Sequence, residues 1–132
     1  MQYLLAHDLG TSGDKASLFT VDGTLVKSVV ASYPCSYGSG NCVEQNPEAW
    51  YAAVCRTTQS LASLVDPARI AGVSFSGHMM GAVLLDGSGA LLRPAIIWAD
   101  QRAVSEQYPA VAAQQRFLIL DKRSQQFNSF SC

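Results

Sequence analysis

At 132 residues and 48% hydrophobic, the chain is long enough to bury one core and too short for two ordinary domains. A net charge of −1 excludes attraction to nucleic acid or anionic membrane through a basic surface, and no run approaches the roughly 20 apolar residues of a membrane span. Only 14% of residues are charged, against about 25% in a typical soluble domain, which points to surface that something else covers.

In chain order, Met1-Gln2-Tyr3-Leu4 has no basic stretch ahead of an apolar run, so no signal peptide and a cytoplasmic chain are expected. Residues 2–8 and 15–21 read as two strands around a Gly-Thr-Ser-Gly turn. Asp22-Gly23 marks a second hairpin, and Thr24–Tyr33 a third strand that Pro34 ends. Ser36–Asn41 reads as a loop. Asn46-Pro47-Glu48 starts a helix, with Asn as cap, proline at the first position and an acid in the first turn. Trp50, Val54, Leu61 and Leu64 form its apolar stripe, Trp50 packing on the sheet, and Asp66-Pro67 closes it. Ile70–Ser76 reads as a strand buried on both faces. A hairpin about Asp86-Gly87-Ser88-Gly89, a strand over Pro94–Trp98 and a helix from Gln101, broken near Pro109, complete the series. Cys35, Cys42, Cys55 and Cys132 lack metal-ligand spacing and read as free thiols, with Cys35 and Cys42 able to pair only incidentally under oxidation.

The residues with chemical potential concentrate in the first turn. Gly10 and Gly13 permit positive φ and close backbone approach, and the N–H groups with the Thr11 and Ser12 hydroxyls suit phosphate oxygens. Asp8 offers a carboxylate to a hydrated Mg²⁺, and Lys15 a point charge to phosphate. An ordinary hairpin whose Gly and Ser serve only the turn is the competing reading. At the end of the strand over 70–76, Gly77 and Gly81 let the chain turn and present His78, Met79 and Met80. His78 reads as a ligand or as a hydrogen-bonded structural histidine. Met79 and Met80 read as contacts or gap-filling. Trp98 can stack on an apolar ring face and Asp100 can accept from two hydroxyls, or the pair is a buried Trp beside a cap. Arg102 is expected to pair with a carboxylate. His7 reads as structural.

Asp8-Leu9-Gly10-Thr11-Ser12-Gly13-Asp14-Lys15 resembles the first phosphate loop of the sugar kinase, Hsp70 and actin superfamily. Three further stretches narrow the resemblance to the FGGY carbohydrate kinases, xylulose-kinase-like branch: Glu44–Trp50, Gly72–Gly81 and Arg93–Arg102. It covers about residues 1–105, leaving 106–132 an uncertain tail. The resemblance implies an α/β, ribonuclease-H-like (actin-like ATPase) domain, incomplete: three antiparallel strands, helix, buried parallel strand, hairpin and helix. It implies ATP and Mg²⁺ at Asp8, Gly10, Thr11, Ser12, Gly13 and Lys15, with Mg²⁺ held by Asp8 through water. It implies a sugar at His78, Met79, Met80, Trp98 and Asp100, with Glu44 and Gln45 nearby. Xylulose kinases commonly show Gly-Gln-Met-His-Gly where this chain has Gly77-His78-Met79-Met80-Gly81, a change of polar groups that bears on which sugar is taken.

The family's catalytic Asp and second nucleotide-binding lobe fall beyond Cys132. None of Asp14, Asp22, Asp66, Asp86 and Asp121 stands in a matching motif, so the chain alone is expected to be inactive. Its sheet would end on an exposed edge open to self-association. A non-catalytic remnant, or a sugar- or phosphate-binding module, is the alternative. A superfamily ATPase of the Hsp70 or actin type is disfavoured by Met79, Met80 and Trp98–Arg102.

Overall fold

The computed structural model describes residues 1–103. Three antiparallel strands open the chain: β1 (Tyr3–Leu9), β2 (Gly13–Thr20) and β3 (Leu25–Ser32). Alternation gives the sheet an inner face, Leu5 and His7 from β1 with Asp14, Ala16, Leu18 and Thr20 from β2. Gly23, at φ +90°, makes the β2–β3 turn, and the Asp22 carboxylate accepts from the Thr24 N–H at 3.1 Å.

The segment expected as a loop over Ser36–Asn41 is instead a short ladder. Strand β4 (Ser36–Gly38) pairs antiparallel with β5 (Cys42–Gln45) across a 3-10 turn, Ser39–Asn41. The turn is sharp because Gly40 and Asn41 both take positive φ, +67° and +60°. Those two residue types tolerate that conformation at little cost, which lets so short a hairpin close. Strand β5 alternates too, with Val43 and Gln45 inward.

Helix α1 (Pro47–Ala62) starts as the sequence indicates, the Asn46 side chain accepting from the Glu48 N–H at 3.0 Å. Its buried face differs from the expected stripe. Ala53, Thr57 and Leu61 are the buried positions, Trp50 and Val54 are half-buried, and Leu64 lies beyond the helix end at 55% exposure. The inward position of Thr57 explains the shift: α1 packs mainly on β2 and β3, where its hydroxyl meets buried Asp14 at 2.5 Å. Leu61 joins Leu5, Ala16 and Leu18 in the core, flanked by Tyr3, Val29, Val65 and Ile70. Each fully buried Leu is worth roughly 1.5–3 kcal/mol.

After a 3-10 turn (Pro67–Arg69), β6 (Ile70–Gly77) runs parallel to β1, completing the order β3-β2-β1-β6. This strand was expected to be buried on both faces. Val73 and Phe75 are instead 53% and 60% exposed, because α1 leans toward β2 and β3 and nothing among the described residues covers β6. The hairpin over 82–92 forms as a short ladder about a Leu85–Leu91 bridge, the Asp86 N–H donating to the Ala90 carbonyl and the Leu92 N–H to the Leu84 carbonyl, each at 2.9 Å. Its turn is tied by Asp86 to the N–H groups of Ser88 and Ala90. The strand over 94–98 reduces to β7 (Ala95–Ile96), which adds to β5. The expected helix after Gln101, Asp121 and Cys132 lie outside the described residues, apart from the turn at Arg102–Ala103. Cys35, Cys42 and Cys55 are free thiols. No helix among the described residues is long and apolar enough to cross a membrane.

Candidate functional site

The turn between β1 and β2 sits where four elements meet. Its Gly10 N–H donates to the Gly13 carbonyl at 3.0 Å, closing the turn. Four consecutive carbonyls are then taken up by donors from elsewhere. Leu9 accepts from the His78 N–H at 2.9 Å, and Gly10 accepts from the Tyr33 phenol. Thr11 accepts from Gln45 Nε2 at 2.6 Å, and Ser12 from the Tyr33 N–H at 3.3 Å. A turn whose carbonyls are drawn into the protein keeps its negative ends away from a ligand, the polarity an anion requires. Burial, helped by the charges of Asp14 and Asp8, pushes the Tyr33 phenol up to about 12, so it remains a donor.

Neither glycine of this turn uses positive φ, contrary to the sequence expectation. Gly13 is required for approach instead: a Cβ there would lie 2.8 Å from the Ala31 carbonyl oxygen. Asp8 and Lys15 stand opposite each other in the β1–β2 register, both exposed, on the face away from buried Leu5 and Leu18. Ser76 donates to Asp8 Oδ1 at 3.1 Å, leaving the carboxylate room for further partners. One residue inward, His7 Nδ1 and Asp14 Oδ2 meet at 2.9 Å, both side chains fully buried. Thr57 and Thr58 of α1 contact the pair, and His7 stacks on Phe75 with centroids 4.9 Å apart.

Beside the turn, a cleft of about 500 Å³ is lined by Trp50, Ser76, His78, Met79 and Met80 among others. Met79 and Met80 are 58% and 84% exposed, so neither fills a core gap. Met80 holds φ +60°, a conformation that costs a side-chain-bearing residue roughly 1–2 kcal/mol and projects it outward. Burial lowers the His78 pKa, favouring the neutral ring, and its Nδ1 has no partner among the described residues. Trp50 meets His78 edge-on at 5.3 Å, a cleft-wall role rather than the core packing expected.

Trp98 and Asp100 separate in the structure. Trp98 is half exposed and donates through Nε1 to Thr11 Oγ1 at 2.9 Å. Asp100, expected to accept from two sugar hydroxyls, is turned inward with its side chain 5% exposed. It accepts from the Val43 N–H at 2.7 Å and from Arg102 Nε at 3.0 Å. Arg102 also reaches Glu44 Oε1 at 2.8 Å, and Arg93 pairs with the same oxygen. This cluster fixes β5 against the segment after β7. Hydrogen bonding from Arg102, and secondarily from the Val43 N–H, outweighs burial and holds Asp100 down at about 2, from an ordinary 3.8. Its contribution to stability is therefore full above about pH 4 and lost as pH falls through 2. Acid unfolding followed by circular dichroism should show this as a step between pH 4 and 2 that Asp100→Asn removes.

The structural roles of Gln45, Tyr33, Ser76 and Asp14 do not follow from motif or spacing. The one available signal is Gln45 itself, a polar residue on the inward phase of Cys42-Val43-Glu44-Gln45.

The profile described as FGGY family of carbohydrate kinases, N-terminal domain, matches residues 3–122. The xylulose kinase of Bacillus subtilis (strain 168) is 37% identical over 111 residues, covering 80% of this chain and 22% of that protein. The chain thus spans about a fifth of the length of the curated relatives it matches. Among solved structures, ligand-bound xylulose kinase from Lactobacillus acidophilus superposes with a TM-score of 0.81 at 30% identity, covering 87% of this chain and 24% of that one. Gluconate kinase from the same organism superposes with a TM-score of 0.81 at 31% identity, covering 86% and 24%. The described residues form part of the ribonuclease-H-like, actin-like ATPase fold of these sugar kinases, incomplete as the resemblance implied.

Proposed function

The chain belongs to the FGGY family of carbohydrate kinases, and from that premise we propose that it is the amino-terminal part of an ATP-dependent pentulose kinase, xylulose-like in its sugar. Residues 1–132 form part of the first domain, and the chain works in the cytoplasm. The observation that carries the reading is the turn at Gly10–Gly13, with the four carbonyls of Leu9–Ser12 withdrawn and Asp8 and Lys15 side by side at its base.

In this reading, Thr11, Ser12 and Gly13 present N–H and hydroxyl donors to phosphate oxygens, Gly10 closes the turn through its bond to the Gly13 carbonyl and allows close approach, and Lys15 adds a positive charge. Asp8, exposed and bonded only to the Ser76 hydroxyl among the described residues, is a donor suited to Mg²⁺ through water. Mg²⁺, when bound, draws charge from the phosphate oxygens during transfer. His78, Met79, Met80 and Trp98 orient the sugar, Trp98 by stacking. The sugar oxygen forms the new bond to phosphorus, ADP leaves, and the hydroxyl proton passes to a carboxylate. The resemblance locates that carboxylate beyond residue 132, so the chain alone binds without turnover.

The cleft favours a neutral sugar over a sugar acid. None of its lining side chains among the described residues is Lys or Arg, and burial favours neutral His78, so a gluconate carboxylate finds no counter-charge among them. Calorimetry on the 132-residue chain tests the proposal. D-xylulose should bind more tightly than D-gluconate, and MgATP more tightly than ATP in EDTA. Asp8→Asn should abolish the Mg²⁺ advantage, a loss of about tenfold or 1.4 kcal/mol. Equal affinities for MgATP and ATP in the unaltered chain would overturn the role of Asp8. ATP-dependent phosphorylation of xylulose by the chain alone would overturn its inactivity.

A further inference from the structure

Gln45 is 1% exposed, yet both ends of its amide are paired. Nε2 donates to the Thr11 carbonyl at 2.6 Å, and Oε1 accepts from Trp50 Nε1 at 3.1 Å. The two partners fix the orientation of the amide, because a flipped amide would set donor against donor and acceptor against acceptor. Trp50 is a wall of the cleft and touches His78 edge-on. The second tryptophan, Trp98, donates to the Thr11 hydroxyl oxygen at 2.9 Å, which leaves that hydroxyl's own proton to point elsewhere. The chain has two tryptophans, and both indole N–H groups end in this one cluster. Beneath it, Glu44 between Arg93 and Arg102, with Asp100 on the Val43 N–H, holds β5 in place.

We infer that Gln45 is a positioning residue joining the cleft to the phosphate loop, so that a sugar against Trp50 and His78 resets the Thr11 backbone through one amide. The inference rests on the functional reading above for the identity of the two ligands, and on the geometry alone for the junction. Displacement of the Trp50 indole changes the Trp50–Gln45 bond, and Gln45 has no other partner to pass the change to than Thr11 among the described residues. Trp98 gives the same loop a second contact, to the hydroxyl rather than the carbonyl. Occupancy of the cleft and order of the loop are thereby linked, and the linkage is reciprocal.

Amide-resolved NMR of the 132-residue chain tests this with Gln45→Leu and Trp50→Phe. In the free chain, Gln45→Leu should speed hydrogen exchange at the Trp50 indole and at Thr11–Gly13 by about tenfold, the effect of losing one ordinary hydrogen bond. Trp50→Phe retains an aromatic ring in a half-buried position and touches no loop atom, so it keeps the test alive should Gln45→Leu not fold. It should shift the Gln45 side-chain amide and the Thr11 amide, whereas shifts confined to α1 would overturn the junction. With D-xylulose added, signals of both Gly77–Gly81 and Gly10–Gly13 should move in the unaltered chain. In Gln45→Leu, xylulose should still move Gly77–Gly81, and Leu9 through the His78–Leu9 bond, while the Thr11 backbone response falls severalfold, a separation that a purely structural glutamine would not produce. Loop signals that follow xylulose equally in both would overturn the linkage. Xylulose moving nothing in the unaltered chain would defeat the pentulose reading, and the free-chain exchange would still decide the junction.

Discussion

Replacing His7 by alanine should destabilise the chain by about 3–5 kcal/mol, because it breaks a buried polar pair from one side only. The Asp14 side chain is fully buried, and its Oδ2 meets His7 Nδ1 at 2.9 Å and the Thr57 hydroxyl at 2.5 Å. Its Oδ1 has no partner among the described residues. Without the imidazole, the carboxyl keeps one donor in a dry site, and the ring that stacks on Phe75 is lost as well. The loss is a large share of the roughly 5–15 kcal/mol that holds a domain folded. Combining His7→Leu with Asp14→Val should recover most of it, since apolar replacement of both partners removes the desolvation cost together with the bond. Urea denaturation followed by circular dichroism measures both. A cost for His7→Ala below about 1 kcal/mol would mean that the pair contributes nothing beyond packing.

The second large effect is expected at Gly13. A methyl group there would stand 2.8 Å from the Ala31 carbonyl oxygen and 3.0 Å from the Ser32 Cα, both backbone atoms. Strand β3 has to move away, and it leads directly into Tyr33, whose N–H and phenol hold the Ser12 and Gly10 carbonyls. Gly13→Ala should therefore cost about 1–3 kcal/mol, as overpacking does. It should also weaken MgATP by about tenfold or more. Gly10→Ala is the control, because its Cβ would meet only the Gly13 oxygen at an ordinary 3.6 Å and its φ is not positive. That variant should melt nearly as the unaltered chain does. If Gly13→Ala binds MgATP as tightly as the unaltered chain, the approach of β3 does not shape the loop.

Much of this was legible in the residues, and the misses share one physical cause. Turns, caps and strand alternation are local, so Asp22-Gly23, Asn46-Pro47 and the strands about Gly10–Gly13 could be read from neighbours in the chain. The three-residue ladder of β4 was not, because Ser36-Tyr37-Gly38 has no apolar alternation and is defined by its pairing with β5. Thr57 was overlooked on α1 because a search for apolar spacing cannot see a hydroxyl that faces a buried carboxylate. Asp14 was set aside for want of a motif, although it lies one residue before Lys15 on the opposite face of the same strand. At the candidate site, the positions of Asp8, Thr11, His78 and Trp98 are brought together around one turn, whereas Asp100 is drawn into an ion cluster with Arg102 that no spacing rule reveals. Gln45 connects residues 11 and 50, and a contact of that range exists only once the fold has formed.

The central claim is that the Gly10–Gly13 turn receives the phosphates of a nucleotide. The most direct test is to titrate MgATP into the isotopically labelled 132-residue chain and map the amides that move. The account predicts saturable shifts centred on Gly10 through Lys15, with the affinity lowered about tenfold by EDTA or by Asp8→Asn. Shifts that saturate elsewhere, or a loop that stays silent while its amides remain visible, would contradict it.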